Sequence, residues 1–199
     1  MSNETLNQEY EFTLVIGNIS EITCELEDRL FEAGCDDATI SMQQGRVYIT
    51  FSRRAESIES AILDAVKSVR MAKIGAKILR IDQCDLVTQA EIARRISRSR
   101  QVVNMYISGE RGPKGFPPPV CNITDESSPL WYWCEVAGWL FENQVIREED
   151  LHQAQVVAIL NCILELSYKR NMAAEETDKF MEELCLCNSE DCEQIPATA

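Results

Sequence analysis

Residues 88–103 read T-Q-A-E-I-A-R-R-I-S-R-S-R-Q-V-V. Thr88 stands three residues before Glu91, the spacing of a capping box. In that arrangement the Thr88 hydroxyl accepts from the Glu91 N–H, and the Glu91 carboxylate accepts from the Thr88 N–H. Ala90, Ile92, Ala93 and Ile96 give the helix that follows one apolar side. Ser97-Arg98-Ser99 breaks it, and Ser99 is a good N-cap for a second helix running to about Ser108, ended by Gly109. Val102, Val103, Tyr106 and Ile107 form the buried side of this second helix. Two short helices, a tight turn and a small residue (Ala93) at the closest approach are what helix-turn-helix packing demands.

With Val103 and Tyr106 packed inward, Ser99, Arg100, Gln101, Asn104, Met105 and Ser108 face outward. Such a face suits readout of the DNA major groove: Arg is bidentate to guanine, Gln or Asn to adenine, and Ser reaches phosphate or base. The surrounding segment is basic. Between 87 and 114, Arg94, Arg95, Arg98, Arg100, Arg111 and Lys114 stand against only Glu91 and Glu110, a net of +4. The 199-residue chain as a whole carries −14. That charge divides into −6 for residues 1–86, +1 for 87–141 and −9 for 142–199. Phosphate repels a chain of −14, which excludes a general nucleic-acid binder. Acidic flanks around one basic island instead favour binding that is oriented and specific.

Two more segments follow at suitable spacing: G-F-P-P-P-V (115–120) and L-W-Y-W-C-E-V-A-G-W-L (130–140). Together with 88–103 they make Val87–Leu140 resemble the winged helix-turn-helix domains of the MerR, AlpA and excisionase group. The resemblance implies a recognition helix over residues 99–108, wing strands around 118–123 and 129–133, and a closing helix over Glu135–Leu140. It implies a DNA-contacting set of Thr88, Gln89, Arg94, Arg95, Arg98, Ser99, Arg100, Gln101, Asn104, Met105, Ser108, Arg111 and Lys114. Three positions depart from the group's pattern. Cys134 replaces a capping Ser, which leaves the closing helix with a poorer N-cap. Arg98 occupies a turn position that often holds an apolar residue, and the wing tip Thr124-Asp125-Glu126-Ser127-Ser128 is acidic. Trp131, Trp133 and Trp139 are read as the small core of this domain rather than a base-stacking surface.

Residues 1–86 read strand, helix, strand, strand, helix, strand. Tyr10–Ile16 alternates apolar and polar residues, and Glu25–Ala33 carries Leu26, Leu30 and Ala33 at helical spacing with Gly34 as its stop. Ala38–Met42 and Arg46–Phe51 flank Gln43-Gln44-Gly45, a hairpin turn. Ser57–Val69 is amphipathic, and Ala76–Ile81 is the last strand. This βαββαβ order is that of a ferredoxin-like α+β domain, two helices on one face of an antiparallel sheet. Its topology is similar to that of ACT-type small-molecule-sensing domains. A scaffold or dimerisation domain is the plainer reading.

The C-terminal region (142–199) is acidic. Glu148–Arg170 is apolar nearly all round, so it must be buried against something. After a break at Asn171 a shorter acidic helix runs from about Ala173 to Leu186. The pair is expected to form a helical hairpin that packs on the winged domain, a second subunit or another protein.

No apolar run reaches the length of a membrane span, and MSNETLNQEY is no signal peptide. Nine cysteines without framework spacing point to reduced thiols in a cytoplasmic protein. Cys185, Cys187 and Cys192 lack the fourth ligand of a closed zinc site. His152, the one histidine, has no triad partner. The sequence therefore reads as a homodimeric, non-enzymatic transcriptional regulator without cofactor or metal, bound to double-stranded DNA. The alternative is a protein-interaction adaptor or antitoxin-like partner that binds through 142–199.

Overall fold

The computed structural model describes residues 8–121 and 129–184. It is a mixed α+β chain. Four strands, β1 (Gln8–Gly17), β2 (Ala38–Gln43), β3 (Arg46–Ala55) and β4 (Lys77–Ile81), form one antiparallel sheet in the order β2-β3-β1-β4. Helices α1 (Cys24–Glu32) and α2 (Ile58–Met71) are inserted between them.

Alternation decides the face. Phe12, Leu14 and Ile16 of β1 and Val47, Ile49 and Phe51 of β3 point to one side, where they meet Leu26 and Leu30 of α1 and Ile58, Ala61, Ile62, Ala65, Val66 and Val69 of α2. Phe12 and Phe51 are register partners, and their rings stack at 5.4 Å. One residue along, Thr13 and Thr50 are also partners, and their hydroxyls bond at 3.0 Å on the opposite face. Cross-strand pairs of these kinds fix register, because a one-residue slip would exchange the two faces. The β2–β3 turn is Gln44-Gly45 with φ of +49° and +73°, the conformation that suits a two-residue hairpin.

The second core begins with β5 (Leu86–Thr88), which pairs antiparallel with β6 (Leu130–Tyr132). Helices α3 (Gln89–Arg95), α4 (Arg100–Ile107) and α5 (Trp133–Glu142) close over this ribbon. Val87, Ile92, Ala93, Val103, Tyr106, Trp131, Trp133, Val136, Ala137, Trp139 and Leu140 are buried together. All three tryptophans therefore serve packing, as expected. Phe116 meets Trp139 and Trp131 edge-on at 5.1 and 6.3 Å, and Trp131 Nε1 donates to the Pro117 carbonyl at 3.0 Å. These contacts draw 112–117 across the tryptophans. Gly112, at φ +79°, lies so close that a Cβ there would stand 3.2 Å from Trp139.

Helix α6 (Glu148–Met172) joins the two cores. Ala154 packs into the second, whereas Val156, Val157 and Leu164 pack into the first. Its Asn161 covers the exposed edge of β4. The Oδ1 accepts from the Ile81 N–H at 2.7 Å, and the Nδ2 donates to the Ile81 and Gln83 carbonyls at 3.3 and 3.0 Å. One amide thus replaces a missing neighbouring strand, which blunts a sheet edge. Among the described residues, the other edge, β2, has no such cover. Helix α7 (Ala174–Glu183) has no buried residue and is tied back by Asp178, which pairs with Arg170 at 2.9 Å. Among the described residues, no helix is long and apolar enough to cross a membrane.

Several expectations need correction. The break before the last helix falls at Ala173, not Asn171. Of the first wing strand expected around 118–123, residues 118–120 form no strand, Cys121 makes an isolated bridge to Leu130, and 122–123 lie outside the described residues. The wing tip, 124–128, lies outside the described residues, as do Cys185, Cys187 and Cys192. Leu86, placed at the end of the N-terminal domain by sequence, already pairs with Tyr132 in the second ribbon.

Candidate nucleic-acid interface

Helix α3 starts as the sequence demands on one side only. Thr88 Oγ1 accepts from the Glu91 N–H at 3.2 Å. The return bond from Thr88 to the Glu91 carboxylate is absent, because two arginines hold that carboxylate. Arg94 donates to it through Nε and Nη2 at 2.9 and 2.6 Å, and Arg95 Nε donates at 3.0 Å. The hydrogen bonds from Arg94, and then those from Arg95, outweigh the cost of partial burial and hold the Glu91 carboxyl down to about 2.

The turn between the helices is a Schellman motif. The Arg98 N–H reaches back to the Ala93 carbonyl at 2.9 Å, and the Ser97 N–H reaches the Arg94 carbonyl at 3.2 Å. Ser97 holds the left-handed position, φ +52°, where glycine is usual. Gly34 plays the same role after α1, at φ +84°. Ser99 then caps α4 by accepting from the Val102 N–H at 3.3 Å. Gln89 Nε2 donates to the Arg100 carbonyl at 2.9 Å, fastening the start of α3 to the start of α4.

With Val103 and Tyr106 buried, Ser99, Arg100, Gln101, Asn104 and Ser108 are exposed on the outer side of α4, and Met105 is half-buried. Arg98 is exposed in the turn before the helix. Arg111 and Lys114 are exposed after it, and the Arg111 N–H bonds the Met105 carbonyl at 3.0 Å. Among the described residues, Arg98, Arg100, Arg111 and Lys114 have no ion-pair partner. Within those residues they form a set of unpaired cations around one helix.

The remaining members of the sequence-derived set behave differently. Thr88 and Gln89 are spent on holding helix ends. Arg94 is exposed but neutralised by Glu91. Arg95 points inward, which corrects its place in the DNA-contacting set. Its side chain is 10% exposed, Nη2 donates to the Cys84 carbonyl at 2.8 Å, and the guanidinium lies 4.9 Å above the Trp133 ring. Its Nη1 is buried without an acceptor.

Two features of the site had no signature in the sequence. The closing helix starts two residues earlier than expected, so Tyr132 and not Cys134 holds the N-cap position of α5, without a side-chain cap. Asp85 supplies one instead: its Oδ1 accepts from the Cys134 N–H at 3.0 Å, and its own carbonyl accepts from the Trp133 N–H at 2.6 Å. The cap comes from 49 residues upstream. Burial first, then the Asp85 carboxylate, pushes the Cys134 thiol above its ordinary range. The second feature is a cleft of about 650 Å³ between the cores, lined by Glu11, Thr13, Asp82, Arg94, Arg95 and Asp150 among others.

Among the described residues, no group of three or more His, Cys, Asp or Glu side chains could hold a metal ion. No family model matches the chain, and neither a curated protein nor a solved structure does.

Proposed function

We propose that this chain is a sequence-specific, double-stranded DNA-binding protein, a cytoplasmic transcriptional regulator acting as a homodimer. The observation that carries the reading is α4. Arg100, Gln101 and Asn104 stand exposed on a helix fixed by a capped turn and a buried Val103–Tyr106 side, with Arg98, Arg111 and Lys114 exposed at its two ends and unpaired among the described residues. A rigid helix bearing bidentate side chains and framed by cations suits a major groove with phosphates on both rims.

In this reading the β5–β6 ribbon with α3, α4 and α5 is a winged helix-turn-helix of the MerR, AlpA and excisionase type, and α4 is its recognition helix. The β2-β3-β1-β4 order under α1 and α2 supports a ferredoxin-like domain, and α6 with α7 supplies the C-terminal helical hairpin. Arg98, Arg111 and Lys114 meet phosphates, joined by Arg94 when phosphate displaces Glu91. Four such contacts give a slope of log K against log salt of about −3.5 per bound subunit.

Selection of bound fragments from random double-stranded DNA tests the proposal. Enrichment of one motif, lost on Arg100→Ala, is expected. Recovery of a DNA-free complex with another polypeptide, indifferent to Arg100→Ala, would favour the adaptor instead.

A further inference from the structure

The exposed side of α6 carries apolar residues that neither core uses. Ile159, Ile163 and Leu166 are 60%, 57% and 42% exposed. They follow one another at steps of four and three, so they lie in one line along the helix. Gln155 and Arg170 continue that line at its two ends. Val157, Asn161 and Leu164 face the other way, toward the first core and β4. A helix apolar on both sides is unfinished in a single chain.

The charge around this line identifies what covers it. Residues 151–164 contain no Asp, Glu, Lys or Arg, in a chain of net −14. The nearest charges are already paired: Glu165 with Lys169 at 2.8 Å, and Asp150 with Arg147 at 3.4 Å. Among the described residues, the unpaired Glu148 stands two turns beyond Gln155 and Arg170 is held by Asp178, so α6 itself offers neither a basic partner nor DNA a free opposite charge beside Ile159 and Ile163. The surface that matches an uncharged apolar line is the same line on a second copy.

We propose that two chains associate through α6, with the two helices antiparallel. A parallel pair sets Arg170 against Arg170 and Glu165 against Glu165. An antiparallel pair centred near Cys162 and Ile163 sets Arg170 against Gln155 of the other copy, whose amide oxygen accepts from a guanidinium. Ile159 then faces Leu166, and Ile163 lies close to the two-fold axis. This takes up the dimeric part of the function proposed above and names its contact. Its test reads subunit number without DNA, so DNA binding and dimerisation can fail separately.

Sedimentation equilibrium of the full-length chain under reducing conditions, at concentrations up to about 100 μM, measures it. A concentration-dependent species of twice the 22.6 kDa chain mass is expected. Ile163→Glu should raise the dissociation constant roughly tenfold or more, since it places two carboxylates near the axis. Circular dichroism should stay unchanged, and so should melting at concentrations where the wild type is monomeric, because Ile163 belongs to neither core. Mixing Ile163→Glu with Ile163→Lys should restore association. Gln155→Glu should tighten an antiparallel pair by facing Arg170 of the other copy, and weakening by that variant overturns the antiparallel arrangement. A monomeric wild-type chain, or a dimer that survives both Ile163→Glu and Ile159→Lys, overturns the α6 contact altogether.

Discussion

Arg95 separates an inward structural role from an outward DNA-contacting one. Arg95→Met keeps much of the apolar stem while deleting the guanidinium. Three interactions go with it: the bond to the Cys84 carbonyl at 2.8 Å, the bond to Glu91 at 3.0 Å, and the stack on Trp133 at 4.9 Å. A desolvated cation–π contact contributes about 1–2 kcal/mol and a charged hydrogen bond about 1.5–3 kcal/mol. The Glu91 share is smaller, because Arg94 still holds that carboxylate. Removing Nη1, which is buried without an acceptor, offsets about 1 kcal/mol. The net expected loss is therefore about 2 kcal/mol, readable as a lowered urea midpoint at unchanged slope. DNA binding by the folded fraction should keep its salt dependence. Arg98→Gln should do the reverse, with stability unchanged and the salt slope reduced by about 0.9. An Arg95→Met protein as stable as wild type but with a shallower salt slope would refute the inward placement.

The Glu91 carboxyl, at about 2 in the fold against an ordinary 4.5, stabilises the protein fully above pH 4.5. That contribution is lost as pH falls from 4.5 toward 2. It is of order 1–2 kcal/mol, because Arg94 is largely exposed and water screens that half of the pair. Urea titrations between pH 3 and 6 should show the decline in wild type and a flatter profile in Glu91→Gln. Ser97→Gly relieves a left-handed serine and should stabilise by about 0.5–1 kcal/mol in thermal melts; a destabilised variant would contradict the turn geometry. Asn161→Leu takes the amide from the Ile81 N–H and the Gln83 carbonyl at the β4 edge, while the Ile81 carbonyl keeps the Gln83 N–H at 2.7 Å, and should cost about 2 kcal/mol. A neutral result there would mean that water replaces the amide.

What the sequence revealed was local. Ser57 and Ser99 mark helix starts, Gln44-Gly45 marks the hairpin, and the alternation through Phe12, Leu14 and Ile16 marks a half-buried strand. Each needs only its neighbours within four residues. The outer face of α4 was legible for the same reason: burial of Val103 and Tyr106 turns Arg100, Gln101, Asn104 and Ser108 outward by helical geometry alone. The illegible features depend on distant partners. Arg95 carries the same charge as Arg94, one residue earlier. It turns inward because the Cys84 carbonyl and the Trp133 ring, from two other segments, are waiting there. Cys134 signals a weak cap, and only the fold brings Asp85 to it. Asn161 looks like an interruption in an apolar helix until β4 supplies an edge for it to cover. The start of the first wing strand, at 118–119, is missing for a related reason. Pro117, Pro118 and Pro119 have no N–H to donate to a ladder, so pairing with β6 begins only beyond them, at Val120 and Cys121.

The central claim is that α4 reads DNA sequence. Selection of fragments from a random double-stranded pool, performed with the full-length chain at two salt concentrations, tests it most directly. The account predicts enrichment of one motif at both concentrations, weaker binding at the higher salt, and loss of that motif with Arg100→Ala. No enrichment at low salt, or the same motif selected by Arg100→Ala, would contradict it.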